Sequence, residues 1–226
     1  MKIGIIVAMK KELALLVSLL SQPNQENING FQFHIGKMGT HDIVALQCGI
    51  GKVNAAVGTT TLINHYNPQK IINTGVAGGG NKSVNIMDLV VGCEVAYHDV
   101  WCGPESPWGA VQGMPLYYKG DSRLIDLLPK RDDIKPGLIA SGDQFIDTVD
   151  AIQAIKEKFP QVLAVDMESG AIAQVCELLH VPFLSMRVIS DSPGAGNNNT
   201  QQYNDFWEDA PAHTFALLHQ LILSLE

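Results

Sequence analysis

Three acidic side chains in this sequence stand just past short apolar runs. Glu12 follows residues 2–8, Glu168 follows residues 162–165, and Asp191 follows residues 182–190. Apolar runs of this length, bounded by turn-forming residues, read as buried strands. In α/β sheets, ligands bind outside the carboxyl ends of strands. Taken singly, each carboxylate is ordinary. Glu12 suits the first turn of a helix, where the dipole favours negative charge, and Asp191 suits a turn. Three of them at strand ends of one sheet form a candidate site. Two carboxyl groups held in different protonation states can cleave a glycosidic bond. One protonates the leaving group while the other activates a water on the opposite face of the sugar. Each such proton transfer is worth about 10²–10⁴-fold in rate.

The elements that position these groups alternate in type. Residues 2–8 read as a strand, followed by Leu13, Leu16, Val17 and Leu20 at helical spacing. Residues 31–36 and 43–48 read as strands, 53–65 as a helix, and 70–74 as a strand running into Gly75-Val76-Ala77-Gly78-Gly79-Gly80. Strands follow at 89–96, 138–141, 162–165 and 182–190, with helices at 151–159 and 168–179. Residues 99–120 carry three prolines and read as a long loop, and 191–200 as a Gly/Asn-rich loop. The tail, 203–225, reads as helical with a break or kink at Pro211. Strands alternating with helices imply a mainly parallel sheet covered on both faces. The pair at 31–48 looks antiparallel, so the expected architecture is a three-layer α/β sandwich around a mixed sheet. No repeat or linker interrupts it, and residues 1–226 read as one domain.

Other chemistries fit less well. Gly49-Ile50-Gly51-Lys52-Val53-Asn54 begins like a dinucleotide fingerprint but has Asn54 at the third glycine position and no acidic residue closing a second strand. Gly80-Asn81-Lys82-Ser83 lacks the glycine that directly precedes a P-loop lysine. No cofactor is expected at either. The seven histidines show neither HxxxH nor HExxH spacing, and the four cysteines (Cys48, Cys93, Cys102, Cys176) form no CxxC, so no metal is expected. A net charge of −8 without any Lys/Arg block excludes a nucleic-acid surface. The apolar start, residues 3–9, is shorter than a secretory core and is followed at once by Lys10 and Lys11. No stretch approaches membrane-span length. The expected location is the cytoplasm.

Longer motifs carry a resemblance. Lys2-Ile3-Gly4-Ile5-Ile6 with Ala8-Met9 and Glu12, Gly49-Ile50-Gly51-Lys52-Val53, and Asn73-Thr74-Gly75-Val76-Ala77-Gly78-Gly79 come in order. Tyr97-His98-Asp99, Ser141-Gly142-Asp143-Gln144-Phe145, Val165-Asp166-Met167-Glu168 and Arg187-Val188-Ile189-Ser190-Asp191 follow. Together they resemble the 5′-methylthioadenosine/S-adenosylhomocysteine nucleosidases of the nucleoside phosphorylase family. The resemblance implies a homodimeric hydrolase that binds an adenine nucleoside, with water as nucleophile. It implies Glu12 as activator of the water with Arg187 nearby, Asp191 as the acid at purine N7 supported by Ser190, and Glu168 as ligand of the ribose hydroxyls. Met9 and Met167 would pack on the ribose and its 5′ side. Phe145 would stack on adenine, and the Ile146 backbone would read the adenine edge. Tyr203 stands where the family usually has Phe, and Ile50 and Val76 would line the pocket. Val76 replaces a common Ser, Asp166 replaces a usual Glu, and residues 100–114 differ from the usual loop beside the 5′ substituent.

Three alternatives accompany this reading. A phosphorylase would need a phosphate site, but Glu12 in the segment Met9-Lys10-Lys11-Glu12 would repel phosphate. A futalosine or aminofutalosine hydrolase would keep the chemistry and change the substrate. A nucleoside-binding protein without catalysis would need neither a water activator nor a leaving-group acid.

Overall fold

The computed structural model describes residues 1–193, 201–204, 206 and 211–225. In chain order the elements are β1 (Lys2–Val7), α1 (Lys10–Ser18), β2 (Ser21–Ile28), β3 (Phe31–Met38), β4 (His41–Gln47), α2 (Lys52–Tyr66), β5 (Lys70–Gly79) and β6 (Leu89–Tyr97). They continue with β7 (Tyr118–Lys119), α3 (Ser122–Asp126), β8 (Ile134–Ser141), α4 (Val149–Lys158), β9 (Val162–Asp166), α5 (Ser169–Leu178), β10 (Phe183–Asp191) and α6 (Pro211–Leu223).

The alternation of side chains along β1 explains the layers. Ile3, Ile5 and Val7 enter one apolar core with Leu13 and Leu16 of α1 and Phe215 and Leu218 of α6. Ile6 points to the opposite face, into a second core with Leu62 of α2 and Ile172 of α5. This is the period-two consequence of the pleat, applied to a strand buried on both faces. Gly4 also belongs to the second face. A Cβ there would lie 2.5 Å from Ile71 and 2.7 Å from Leu62, so the close seating of α2 on β1 requires glycine.

The ten strands run in the order β10-β6-β8-β9-β5-β1-β4-β3-β2, with β7 on β6. A further pairing of β10 with β5 closes the first five into a ring. The sheet is mixed, as expected, but parallel pairing does not dominate: β10 with β6, β5 with β9 and the β2–β3–β4 meander are antiparallel.

The strand β5 is the hub. Along one edge it pairs with β10 from Ile71 to Gly78. Along the other it pairs with β1 only through Lys70–Asn73 and with β9 only at Gly78 and Gly79. Residues 74–77 therefore face a notch between two strand ends. β1 reaches the notch running parallel to β5, and β9 reaches it from the opposite direction.

Several elements depart from the sequence-based expectations. β2 is exposed except for half-buried Ile28, so no apolar alternation marks it. It is the outer strand of the meander, where Pro23 is tolerated because an edge has spare backbone positions. β5 continues straight through the glycines after Thr74. β8 begins four residues earlier than expected, through Pro136, because that stretch pairs only with β6 while β9 joins at Leu138. The expected loop at 99–120 contains β7. Pro211 opens α6, a position where its missing N–H has no helical partner to lose, and residues 207–210 before it lie outside the described residues. Most of the Gly/Asn-rich loop, residues 194–200, lies outside the described residues. Among the described residues no helix is long and apolar enough to cross a membrane.

Leu62 is fully buried between α2 and β1. Leu62→Ala is expected to lower unfolding free energy by about 2–5 kcal/mol, the usual cost of such a cavity. Urea denaturation checks this, and a loss below about 1 kcal/mol would show that Gly4 and Leu62 are not tightly apposed.

Candidate active site

The notch in β5 is filled from both sides by carboxylates. Glu12 stands third in α1, one turn beyond the end of β1. Its Oε2 accepts the N–H groups of Ala8 (3.0 Å) and Met9 (2.9 Å), and its Oε1 accepts the Val76 N–H at 3.1 Å. The side chain thus takes the place of the missing strand neighbour at Val76. Gly75 makes this possible. Its φ is +151°, and a Cβ there would overlap Glu12 Oε1 and lie 2.7 Å from Arg187 Nη1. Burial pushes the Glu12 carboxyl above its ordinary range, against the opposing pull of Arg187 and the three N–H donors.

Arg187 lies within β10 and is fully buried. Its Nη2 is 2.5 Å from Asp166 Oδ2 and 3.5 Å from Glu168 Oε2, and it donates to Asn73 Oδ1 at 2.6 Å. The Nε group donates to Ser169 Oγ at 3.3 Å. Ser169 in turn donates its backbone N–H (3.0 Å) and its hydroxyl (2.5 Å) to Asp166 Oδ2, and its hydroxyl lies 2.7 Å from that of Ser185. The ion pairs of Arg187 therefore go to Asp166 and Glu168, not to Glu12. Glu168 Oε1 accepts the Gly51 N–H at 3.0 Å, so the turn before α2 is tied to the end of β9. Burial, opposed by Arg187 and reinforced by Asp166, pushes the Glu168 carboxyl up to about 7.

Asp191 ends β10 and pairs in register with Gly78, at the far end of the notch. Ser190 donates to its Oδ1 at 2.7 Å. Its Oδ2 is buried and has no hydrogen-bond partner among the described residues. Burial raises the Asp191 carboxyl, with Ser190 acting the other way. A carboxyl in that state is suited to hold a proton and pass it to a ligand.

Around these groups lies a cavity of about 340 Å³, within the range of small-molecule sites. All twelve candidate residues line it: Glu12, Glu168, Arg187, Ser190 and Asp191, together with Met9, Ile50, Val76, Phe145, Ile146, Met167 and Tyr203. Phe145 is half-exposed at its rim and meets the Tyr203 ring edge-on, with centroids 6.1 Å apart. The Tyr203 hydroxyl donates to Met9 Sδ at 3.0 Å. Of the polar cradle of Arg187, sequence reasoning gave Asn73 and Ser185 no role, and it treated Ser169, which with Gly170 replaces a bulkier pair, and Asp166 only as variations. A signal existed: Asn73, Ser185 and Arg187 each interrupt an otherwise apolar strand, and buried polar groups need partners.

A model of the Phosphorylase superfamily matches residues 2–223. The 5′-methylthioadenosine/S-adenosylhomocysteine nucleosidase of Bacillus anthracis is 37% identical over 233 residues, covering 100% of both chains. The chain belongs to that family, within the phosphorylase superfamily. The nucleosidase of this name from Streptococcus pneumoniae, solved with the transition-state inhibitor MT-ImmA, matches with a TM-score of 0.93 and 35% identity over all of both chains. The futalosine hydrolase of Helicobacter pylori matches with a TM-score of 0.91 and 28% identity, over 99% of this chain and 98% of that one. The fold of this family member is the nucleoside phosphorylase-like α/β sandwich that the motifs implied.

Gly75→Ala is expected to destabilise the protein by more than about 1 kcal/mol, since Ala at positive φ is strained and the new methyl group displaces Glu12 or Arg187. Denaturant titration decides; an unchanged midpoint would show that β5 does not hold the two side chains apart as described.

Proposed function

We propose that this protein hydrolyses the N-glycosidic bond of 5′-methylthioadenosine, S-adenosylhomocysteine or both, with 5′-deoxyadenosine as a further candidate. Water adds to C1′ of the ribose, and adenine leaves with the proton it needs. The observation that carries the reading is the pairing of two unlike carboxyls in one cavity. Glu12 has three N–H donors that favour its ionised form, whereas Asp191 has one oxygen without a partner among the described residues.

Glu12 takes the proton from the attacking water, and Asp191 delivers one to purine N7. Ser190, by donating to Asp191 Oδ1, holds the carboxyl with its other oxygen available. Glu168 receives the ribose hydroxyls and places negative charge beneath the oxocarbenium-like transition state. Arg187 limits the mutual repulsion of the carboxylates. Phe145 stacks on adenine and the Ile146 backbone reads its edge, while Met9, Met167, Ile50, Val76 and Tyr203 supply the apolar walls that a nucleoside needs. Val76 leaves the nucleophile's surroundings without a side-chain hydroxyl at that position.

The electrostatics disfavour phosphate as nucleophile. Arg187 is the one cationic side chain among the described residues lining the cavity, and Asp166 and Glu168 already occupy it. A phosphate dianion would meet Glu12 with no spare positive charge. A futalosine-type substrate stays as the second reading, favoured by the likeness to the Helicobacter pylori enzyme.

The same reading makes residues 1–226 one nucleosidase domain, acting in the cytoplasm as a homodimer. Support for the dimer comes from α2, whose Val53 (74% exposed) and Val57 (50%) present apolar surface next to Ile50 at the cavity. Val53→Asp is expected to give monomers in light scattering; a dimer that survives this change places the interface elsewhere.

The decisive assay is adenine release in phosphate-free buffer. Methylthioadenosine and adenosylhomocysteine are expected to be cleaved. Glu12→Gln and Asp191→Asn should each lose about 10²–10⁴-fold in turnover, with substrate still binding to Glu12→Gln. Glu12 works ionised and its carboxyl is raised, so kcat/KM should fall on the acid side at a pH above the ordinary carboxylate value of 4.5. A requirement for phosphate, with a sugar 1-phosphate as product, would overturn the hydrolase. Faster cleavage of aminofutalosine would establish the second reading.

A further inference from the structure

Three buried carboxylates share one buried guanidinium at this site. By distance they do not share it equally: Asp166 Oδ2 is 2.5 Å from Arg187 Nη2, Glu168 Oε2 is 3.5 Å away, and Glu12 makes no ion pair with Arg187. Asp166 is also held by Ser169 on the same oxygen that meets Arg187, while its buried Oδ1 has no hydrogen-bond partner among the described residues. The hydroxyl and backbone N–H of Ser169 both donate to the same Oδ2, and Ser169 belongs to the cradle with Asn73 and Ser185 that fixes the guanidinium. Asp166 lines the cavity but has no role in the reaction as written above.

We propose that Asp166 is a positioning residue that holds Arg187 and takes up most of its charge, so that Glu12 keeps the basicity to accept a proton from water. The proposal rests on the hydrolytic reading of Glu12. With Asp166 ionised, the Arg187–Asp166 pair is close to neutral, and Glu12 sees only a residual positive field. Without that carboxylate, the full guanidinium charge would fall on Glu12 and Glu168. Both would be held ionised more firmly, and Glu12 would become a weaker base.

The remaining charged and titratable neighbours fit this account. Glu12 faces Arg187 from β10, Glu168 from beyond β9, and Cys48 from the end of β4. Burial pushes the Cys48 thiol up to about 12, so it stays neutral and supplies no competing charge. Burial works against the Arg187 charge, and Asp166, Glu168 and Glu12, in that order, sustain it.

The test is the pH profile of kcat/KM for adenine release in Asp166→Asn, which keeps the shape and removes the charge. Arg187 retains the Asn73 carbonyl and Glu168 as partners. The sign is definite: an unbalanced cation lowers the pKa of nearby carboxyls, so the acid limb moves to lower pH, by about one unit or more. Asp166→Glu, which retains the charge, is expected to keep the limb where the parent has it. If Asp166→Asn does not fold, Asp166→Ser, uncharged and smaller, is read in the same way. A purely structural role would lower activity and leave the limb in place, and that result overturns the proposal. Its failure is separable from failure of the hydrolytic reading. If the parent releases adenine and Glu12→Gln does not, while the limb stays fixed in the Asp166 variants, only the charge assignment is wrong.

Discussion

A guanidinium without solvent is the constraint around which this site is built. Moving such a charge out of water is costly, and its attraction to a buried carboxylate offsets the cost only with good geometry and further hydrogen bonds. Arg187 has both, from Asp166, Glu168, Asn73 and Ser169. Replacing buried ion pairs by apolar side chains is often neutral or stabilising, so an arginine within β10 is not explained by stability. What it supplies is a fixed positive potential beside carboxylates that would otherwise repel one another. The cradle is thus a cost of the chemistry, and it accounts for the polar residues in strands that are otherwise apolar.

The sheet topology makes room for this cluster. A continuous sheet would leave no space beside β5 for side chains, because each edge N–H and C=O would meet a neighbouring strand. Here β1 stops at Asn73 and β9 begins to pair at Gly78, so the backbone between them is left for other partners. Glu12 satisfies the Val76 N–H, which places a functional carboxylate by the same hydrogen bond that completes the backbone. The antiparallel approach of β9 is essential. It lets the carboxyl ends of β1 and β9 face each other across the notch, with Asp191 of β10 beyond them. A wholly parallel sheet would line up the strand ends along one edge, and Glu168, beyond the end of β9, could not face Glu12 across the notch in this way.

Much of this was legible in the sequence. β1, β4, β6 and β10 are apolar runs that only burial on both faces explains, and the acidic residues just past three strands stood out by position. What was hidden follows a physical pattern. β2 is a solvated edge strand stabilised by its backbone ladder, so its side chains carry no hydrophobic period. The ring closure of β10 onto β5 depends on sheet twist and long-range pairing, which leave no local trace. The roles of Asn73, Ser169 and Ser185 were not read because small polar residues are as common in turns as in buried networks. Only the partner across space distinguishes the two, and the partners here are up to 114 residues apart.

The difference between Glu12 and Asp191 shows how one cavity can keep two carboxyls in unlike states. Both are buried, and burial raises both. Their hydrogen bonds differ. Glu12 accepts three backbone N–H groups, which cannot turn into acceptors and so always favour the anion. Asp191 has a hydroxyl on one oxygen and, among the described residues, no partner on the other, and a protonated carboxyl loses little there. The Arg187 charge acts on Glu12 and not on Asp191, which widens the gap further. A donor and an acceptor of protons thus follow from backbone geometry and from the position of one cation, with no difference in the acidity of the side chains themselves.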